Sequence, residues 1–273
     1  MSQVTTVDAA VAASCYRAPD AADDKYTRGV VLLAGGSETY PGAGLLNALG
    51  AAGTGVGMIR FVSTARPSEL VLTHLPECVL QGGQFQAAAI GSGWDDARLA
   101  DAHELAAMAG AYRVPLVVDA GALPWFRQWH VEYPTLPLVL TPHLREAAAL
   151  LEVEPQEVAA NQSQAAVQLA AEGVVVVLKA ATTVIAAPSG KTWNFTAPSA
   201  WAGVAGAGDV LEGVLAGFLA GRQADWENRG MAYDLAKACA GAVWIHGQAG
   251  KADRPITASQ IAASVPEVIA GLG

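Results

Sequence analysis

Short apolar runs recur along the chain, each closed by a polar or glycine-rich tip: residues 29–35, 57–62, 80–90, 114–119, 136–140 and 174–179. Continuous runs of this length suit strands buried on both faces. Between them lie segments with apolar residues at helical spacing, over 42–52, 97–112 (Leu99, Leu105, Met108), 143–151 and 155–172. Such alternation predicts a mostly parallel sheet with helices on both faces. The pattern changes after Lys179. Residues 182–187 and 191–195 read as two strands joined by a tight turn at Ser189-Gly190, which predicts an antiparallel edge hairpin. A loop over 196–205 follows, then helices over 209–220 and 226–246, and a last helix opened by a capping box of Thr257 and Gln260. Residues 1–25 read as an arm or short helix. With no internal repeat and no shift in composition, the expectation is one domain over residues 1–273.

Charge and composition narrow the partners. The 273 residues carry 16 basic against 25 acidic side chains, a net of -9, and no run of Lys or Arg that would neutralise a nucleic-acid backbone. An anionic ligand must then be held locally, by backbone N–H groups and one or two placed cations. Hydrophobic residues make up 52%, but no apolar stretch approaches the roughly 20 residues of a bilayer span, so no membrane partner is expected. Residues 1–26 contain Asp8, Asp20, Asp23 and Asp24 and no basic leader, which argues against a signal peptide. Cys15, Cys78 and Cys239 have no metal-ligand spacing and read as reduced thiols, an expectation of the cytoplasm.

Chemistry is expected beyond the carboxyl ends of the strands, where open α/β sheets bind ligands. The tips there are Gly35-Gly36-Ser37, Gly91-Ser92-Gly93, Asp119, Thr141-Pro142-His143 and Lys179. The strongest feature is Gly206-Ala207-Gly208-Asp209. Its glycines permit positive φ and close approach, and the helix that follows aims free N–H groups and a positive dipole at the same spot. Gly206, Ala207 and Gly208 thus make a candidate anion hole for a phosphoryl group. Asp209 reads equally as a helix cap or as a base that takes a hydroxyl proton. The turn is neither a Walker loop nor a dinucleotide fingerprint. His143 reads as a cap or a ligand-facing group, Lys179 as a phosphate or carboxylate partner, and Asp119 as a loop acceptor or an orderer of metal-bound water. His246 reads as packing, and Tyr40 and Trp94 as stacking or packing aromatics.

An ordered series of motifs extends the reading: Lys25-Tyr26-x-Arg28-Gly29, Gly36-Ser37, Tyr40-Pro41-Gly42-Ala43-Gly44, Val118-Asp119-Ala120, Leu140-Thr141-Pro142-His143-x-x-Glu146, Val177-Leu178-Lys179, Gly206-x-Gly208-Asp209-Val210-Leu211 and His246-Gly247-x-Ala249-Gly250. In this order they resemble the ADP-dependent NAD(P)H-hydrate dehydratases of the ribokinase-like superfamily, over about four fifths of the chain. The resemblance implies a three-layer ribokinase-like α/β fold. It implies that ADP phosphorylates the 6-hydroxyl of hydrated NADH or NADPH and that phosphate then leaves, giving the repaired cofactor and AMP. On that reading Asp209 is the catalytic base, and Ala43, Gly93 and His143 join it around the hydrated nicotinamide. Lys179, Ala180, Ala181, Thr182, Thr183 and Gly208 hold the ADP. Mg²⁺ is expected on phosphate and water, with no protein ligand cage. A separate NAD(P)H-hydrate epimerase is the expected functional partner, no epimerase domain being fused within 1–273, and a homo-oligomer, with a tetramer among the options, is the expected assembly. The sequence departs from the family pattern at Ala180, Gly121, Val204 and Ala207. The alternatives are a small-molecule kinase of the same superfamily, acting on an alcohol with ATP, and a silent nucleotide-binding regulator.

Overall fold

The computed structural model describes residues 4–95 and 98–273, and the side chains of residues 99 and 100 lie outside that description. Among the described residues nine strands form one sheet: β1 Val4–Thr6, β2 Val30–Ala34, β3 Met58–Phe61, β4 Ala87–Ile90, β5 Leu116–Val118, β6 Leu138–Leu140, β7 Val175–Leu178, β8 Thr182–Ala186 and β9 Thr192–Thr196. Their order across the sheet is β1-β9-β8-β7-β6-β5-β4-β2-β3. Only β8 runs against the rest, pairing antiparallel with both β7 and β9. The predicted hairpin is therefore present, and β1 lies outside it, pairing parallel with β9 as the true edge. Three residues with partial exposure gave β1 too little pattern to be read from sequence.

The apolar runs are strands because both faces are covered. In β2, Val31 and Leu33 face one core and Val30, Leu32 and Ala34 the other. The first core is closed by α2 Pro41–Gly53, α3 Ala65–His74, α9 Ala207–Arg229, α10 Leu235–Ala249 and α11 Ala258–Ala270, with the short α1 Ala9–Ala13 against α10. The second is closed by α4 Leu99–Tyr112, α5 Phe126–Glu132, α6 Leu144–Leu151, α7 Pro155–Ala160 and α8 Gln162–Ala170. Each fully buried Val, Leu or Ile contributes about 1.5–3 kcal/mol, so the two cores dominate the stability of the sheet.

Several elements differ from the sequence reading. Helix 155–172 divides at Asn161 into α7 and α8. Helices α3 and α5 were not anticipated. Helix α9 runs on to Arg229, and α10 starts afresh after Asp234, so a helix over 226–246 is not what forms. Its interruption is Gly230, left-handed at φ 68°, followed by an Asp234 side chain that caps α10 through the Lys237 N–H at 3.0 Å. The expected start of α4 at residue 97 lies outside the described residues.

Helices α2 and α9 cross with their backbones almost touching. A Cβ added to Gly213 would lie 1.9 Å from the Asn47 carbonyl oxygen, and one on Gly50 would lie 2.4 Å from that of Val210. This contact fixes the starts of both helices beside the carboxyl edge of the sheet.

Candidate active site

Parallel strands deliver their carboxyl ends to one rim. At the end of β4, Gly91 has φ 115°, and a Cβ there would meet the Asp119 carbonyl at 1.9 Å, so two neighbouring strand ends are in contact. Ser92 follows, fully buried. At the end of β5, Asp119 is 3% exposed and its Oδ1 accepts the Ala120 N–H at 2.9 Å, opening the 3-10 turn Ala120–Trp125. From the end of β7, Lys179 Nζ donates to the same Oδ1 at 2.6 Å. Burial acts against the Lys179 ammonium, but Asp119, with Glu146 and Glu212 further off, outweighs it and holds its pKa above the ordinary lysine value.

The turn into α9 meets this cluster. Gly206 is left-handed at φ 86°, and a Cβ on it would lie 2.4 Å from Leu46 Cδ1, so the turn needs glycine twice over. The Val210 N–H bonds the Gly206 carbonyl at 3.1 Å. Ala207 does not offer a free N–H as expected: it donates to the Val204 carbonyl at 3.2 Å, inside the turn. The N–H groups of Gly206, Gly208 and Asp209 have no backbone partner among the described residues, and they stand at the positive end of a 23-residue helix. A Cβ on Gly208 would lie 3.6 Å from Lys179 Nζ, so the ammonium sits over this opening.

Asp209 is half-buried and is not the cap of α9: that position is Gly206, and no side chain among the described residues caps the helix. Its Oδ1 instead accepts a short hydrogen bond from the Ser92 hydroxyl. Burial is the largest influence on its carboxyl and raises the pKa; Asp119 raises it further, against the Ser92 bond and the Lys179 charge, and the net is upward. The geometry thus offers a carboxylate of raised basicity, an ammonium, and free N–H donors around one opening.

The other expected residues divide. Ala43 and Gly93 are brought together, since a Cβ on Gly93 would lie 2.4 Å from that of Ala43. His143 is exposed and caps α6: its Nδ1 accepts the Glu146 N–H at 3.1 Å, and Glu146 Oε2 accepts the His143 N–H at 2.7 Å. It is joined to Lys179 by a backbone bridge. Ala180 and Ala181 form the bend between β7 and β8, and the Thr183 hydroxyl turns back to the Ala180 carbonyl at 3.3 Å. Thr182 departs from the set, because strand alternation turns its side chain to the opposite face, in a groove with residues 159–164. Trp94 is packed, its Nε1 donating to the Ala34 carbonyl at 2.6 Å, while Tyr40 stays exposed where α2 begins.

Sequence reasoning missed three features. Ser92 was seen only as a polar tip. Asn47 and Glu212 form a fully buried pair one turn along from Asp209, the acid betrayed only by its place in the apolar run Val210-Leu211-Glu212-Gly213-Val214. His246, read as packing, lies under the turn near the Ala207 carbonyl. Burial lowers its pKa to about 4 despite that carbonyl, and its Nε2 has no hydrogen-bond partner among the described residues. A cavity of about 260 Å³ lies at the other end of α9, against Arg28, Val56, Phe218 and Arg222, and carries none of this chemistry.

Comparison with known proteins agrees with this architecture. Residues 31–264 match the model of the NAD(P)H-hydrate dehydratase family. The chain is 36% identical to the bifunctional NAD(P)H-hydrate repair enzyme of Mycobacterium tuberculosis over 80% of its own length and 46% of that protein. It therefore spans about half of such bifunctional relatives. It is 31% identical to the ADP-dependent (S)-NAD(P)H-hydrate dehydratase of Xanthomonas campestris, over 99% of this chain and 96% of that one. The solved ADP/ATP-dependent NAD(P)H-hydrate dehydratase of Bacillus subtilis, co-crystallised with ATP and Mg²⁺, superposes with a TM-score of 0.83 at 25% identity, covering 99% of each chain. A ribokinase-like protein of Enterococcus faecalis, 22% identical over 98% of this chain and 96% of its own, shares the fold at 0.79. By its matched length and its full-length relatives, the chain belongs to the NAD(P)H-hydrate dehydratase family.

Proposed function

We propose that the protein restores NADH or NADPH from the (6S)-hydrate at the expense of ADP, with Asp209 as the base. The observation that carries this reading is Asp209 itself: half-buried, freed from capping, held by Ser92, and set beside unpaired helix N–H groups. Asp209 takes the proton of the 6-hydroxyl as its oxygen attacks the β-phosphorus of ADP, and AMP leaves. The ring nitrogen lone pair then expels phosphate from C6 with the C–O electrons, and loss of a proton from C5 restores the C5–C6 double bond. The N–H groups of Gly206, Gly208 and Asp209 stabilise charge on the transferring phosphoryl, and Lys179 supplies the nearby cation. Ala43, Gly93 and His143 flank the nicotinamide side, and the bend at Ala180 and Ala181, with Lys179 and Gly208, the nucleotide side.

Magnesium suits this opening. No cluster of three acidic, His or Cys ligands is present among the described residues, and Asp119 Oδ2 has no hydrogen-bond partner among them. An ion resting on phosphate oxygens would keep several waters, one of them held by Asp119, and would neutralise phosphate charge. Relatives that are named bifunctional NAD(P)H-hydrate repair enzymes support an NAD(P)H-hydrate epimerase as the proposed functional partner.

Hydrated NADH incubated with ADP and the protein should regain the near-ultraviolet absorbance of the dihydronicotinamide, releasing AMP and phosphate. Asp209→Asn should still bind ADP and lose about a thousandfold in turnover. Full activity in that variant would remove Asp209 as the base. No recovery by the wild type, with ATP-dependent phosphorylation of an alcohol, would replace the reading with a kinase.

A further inference from the structure

At the crossing of α2 and α9 two polar side chains are sealed from solvent, Asn47 and Glu212, both 0% exposed. Asn47 Nδ2 donates to Glu212 Oε2. The other two oxygens of the pair, Asn47 Oδ1 and Glu212 Oε1, are buried and have no hydrogen-bond partner among the described residues. Orphaned buried acceptors are costly, and an ionised carboxylate would add an uncompensated charge. A single proton on Glu212 Oε1 removes both problems. It would make that oxygen a donor and leave Asn47 Oδ1 as the acceptor it can meet, the arrangement in which an acid and an amide exchange two hydrogen bonds in a closed ring.

We propose that Glu212 is a neutral carboxylic acid in a cyclic pair with Asn47, and that this pair holds the start of α9, with Asp209, against the start of α2, with Ala43. The surroundings favour the neutral form. Burial pushes the Glu212 pKa up most strongly, and Asp119 and Asp209 push it further; Lys179 and the Asn47 amide pull back, and the net lies well above the ordinary value of 4.5. The rim then presents two carboxylates and one ammonium to an anionic nucleotide. A third negative charge beneath it would repel the phosphates. Glu212 is a positioning residue here, one turn behind the carboxylate that faces the substrate. The protonation half of the inference stands by itself; the positioning half rests on Asp209 as the base.

The test compares Glu212→Gln and Glu212→Ala with the wild type, as intact chains. Glutamine reproduces the ring with an amide–amide pair and cannot ionise; alanine leaves Asn47 alone. Difference infrared spectra of wild type against Glu212→Gln at neutral pH should show the C=O band of a protonated carboxyl, lost in the variant. The sign for stability follows from the raised folded-state pKa. Above about pH 4.5 the unfolded chain releases a proton that the folded chain keeps. Wild-type stability relative to Glu212→Gln should therefore fall with rising pH, until the folded-state pKa is reached, by roughly tenfold in the folding equilibrium per pH unit. ADP affinity and kcat of Glu212→Gln at neutral pH should stay within about threefold of wild type, while Glu212→Ala loses kcat and thermal stability together. Absence of the acid band, or a stability gap flat with pH, overturns the neutral acid. If band and pH slope are found but Glu212→Gln loses kcat as severely as Glu212→Ala, the positioning role is overturned. An active Asp209→Asn would instead sink the reading of the base, with the infrared result untouched.

Discussion

Asp209 shows how a residue acquires a role from its surroundings. The tetrapeptide around it left cap and base equal, and the fold removes the cap by placing Gly206 there and giving the carboxylate a serine hydroxyl. Ser92 stabilises the ionised form of Asp209, so removing it should raise the carboxyl pKa further. On the proposed role of Asp209 as a base, which works deprotonated, the acid limb of kcat/KM should move to higher pH in Ser92→Ala; a pH–rate profile that keeps its limb would show Asp209 to be uncoupled from the rate. What could be read at this scale were residues within one short motif, the glycine turn and Lys179 at a strand end; Ala43 and Gly93 were grouped only by the family resemblance. What could not were pairs made by distant segments. Ser92 and Asp209 lie 117 positions apart and Asn47 and Glu212 lie 165 apart, and no periodicity connects them. Of the two readings of His143 the fold shows the cap, its Nδ1 accepting the Glu146 N–H.

Among elements, the close crossing of α2 and α9 does most to define the site, because each helix begins at the rim. Gly213→Ala would gain about 1 kcal/mol in helix propensity yet place a Cβ 1.9 Å from a backbone oxygen that cannot turn aside. Urea unfolding should show a net loss of about 2 kcal/mol or more, with turnover lowered as the two helix starts separate. A stable, fully active variant would mean that the helices slide apart without consequence. The sequence pattern located α9 and misjudged its end for a physical reason. Its later turns carry Arg222, Gln223 and Asp225, which suggest solvent, yet all three are buried: Arg222 bonds Asp225 at 2.8 Å and Tyr233 bonds Gln223 at 2.9 Å. Mutual pairing lets polar residues continue a buried helix, and the real stop is Gly230 with Asp234 behind it.

Across the whole molecule, the alternation of apolar runs and helical segments was enough for the three layers and the parallel sheet. It could not place the N-terminal arm, which is held by charge, by one short strand and by α1 packed on α10. Arg17 binds Asp225 at 2.6 Å and Asp23 at 2.8 Å, and Arg229 binds Asp23 at 2.7 Å. Arg17→Ala leaves two sheltered carboxylates short of a partner, so the first 25 residues should become sensitive to limited proteolysis while ADP binding persists; an unchanged cleavage pattern would mean that β1 and the packing of α1 on α10 are enough to anchor the arm. The lone reversed strand has a further consequence. Because β8 starts beside Lys179 and ends across the sheet, its turn into β9 at Pro188, Ser189 and Gly190 emerges on the far edge, where a Cβ on Gly190 would meet nothing within 4 Å. That turn is a natural tether point. A peptide or dye spliced in there should travel with the protein as a silent passenger, leaving the proposed turnover of hydrated NADH as it was, and a loss of rate on labelling would show that the two edges of the sheet communicate.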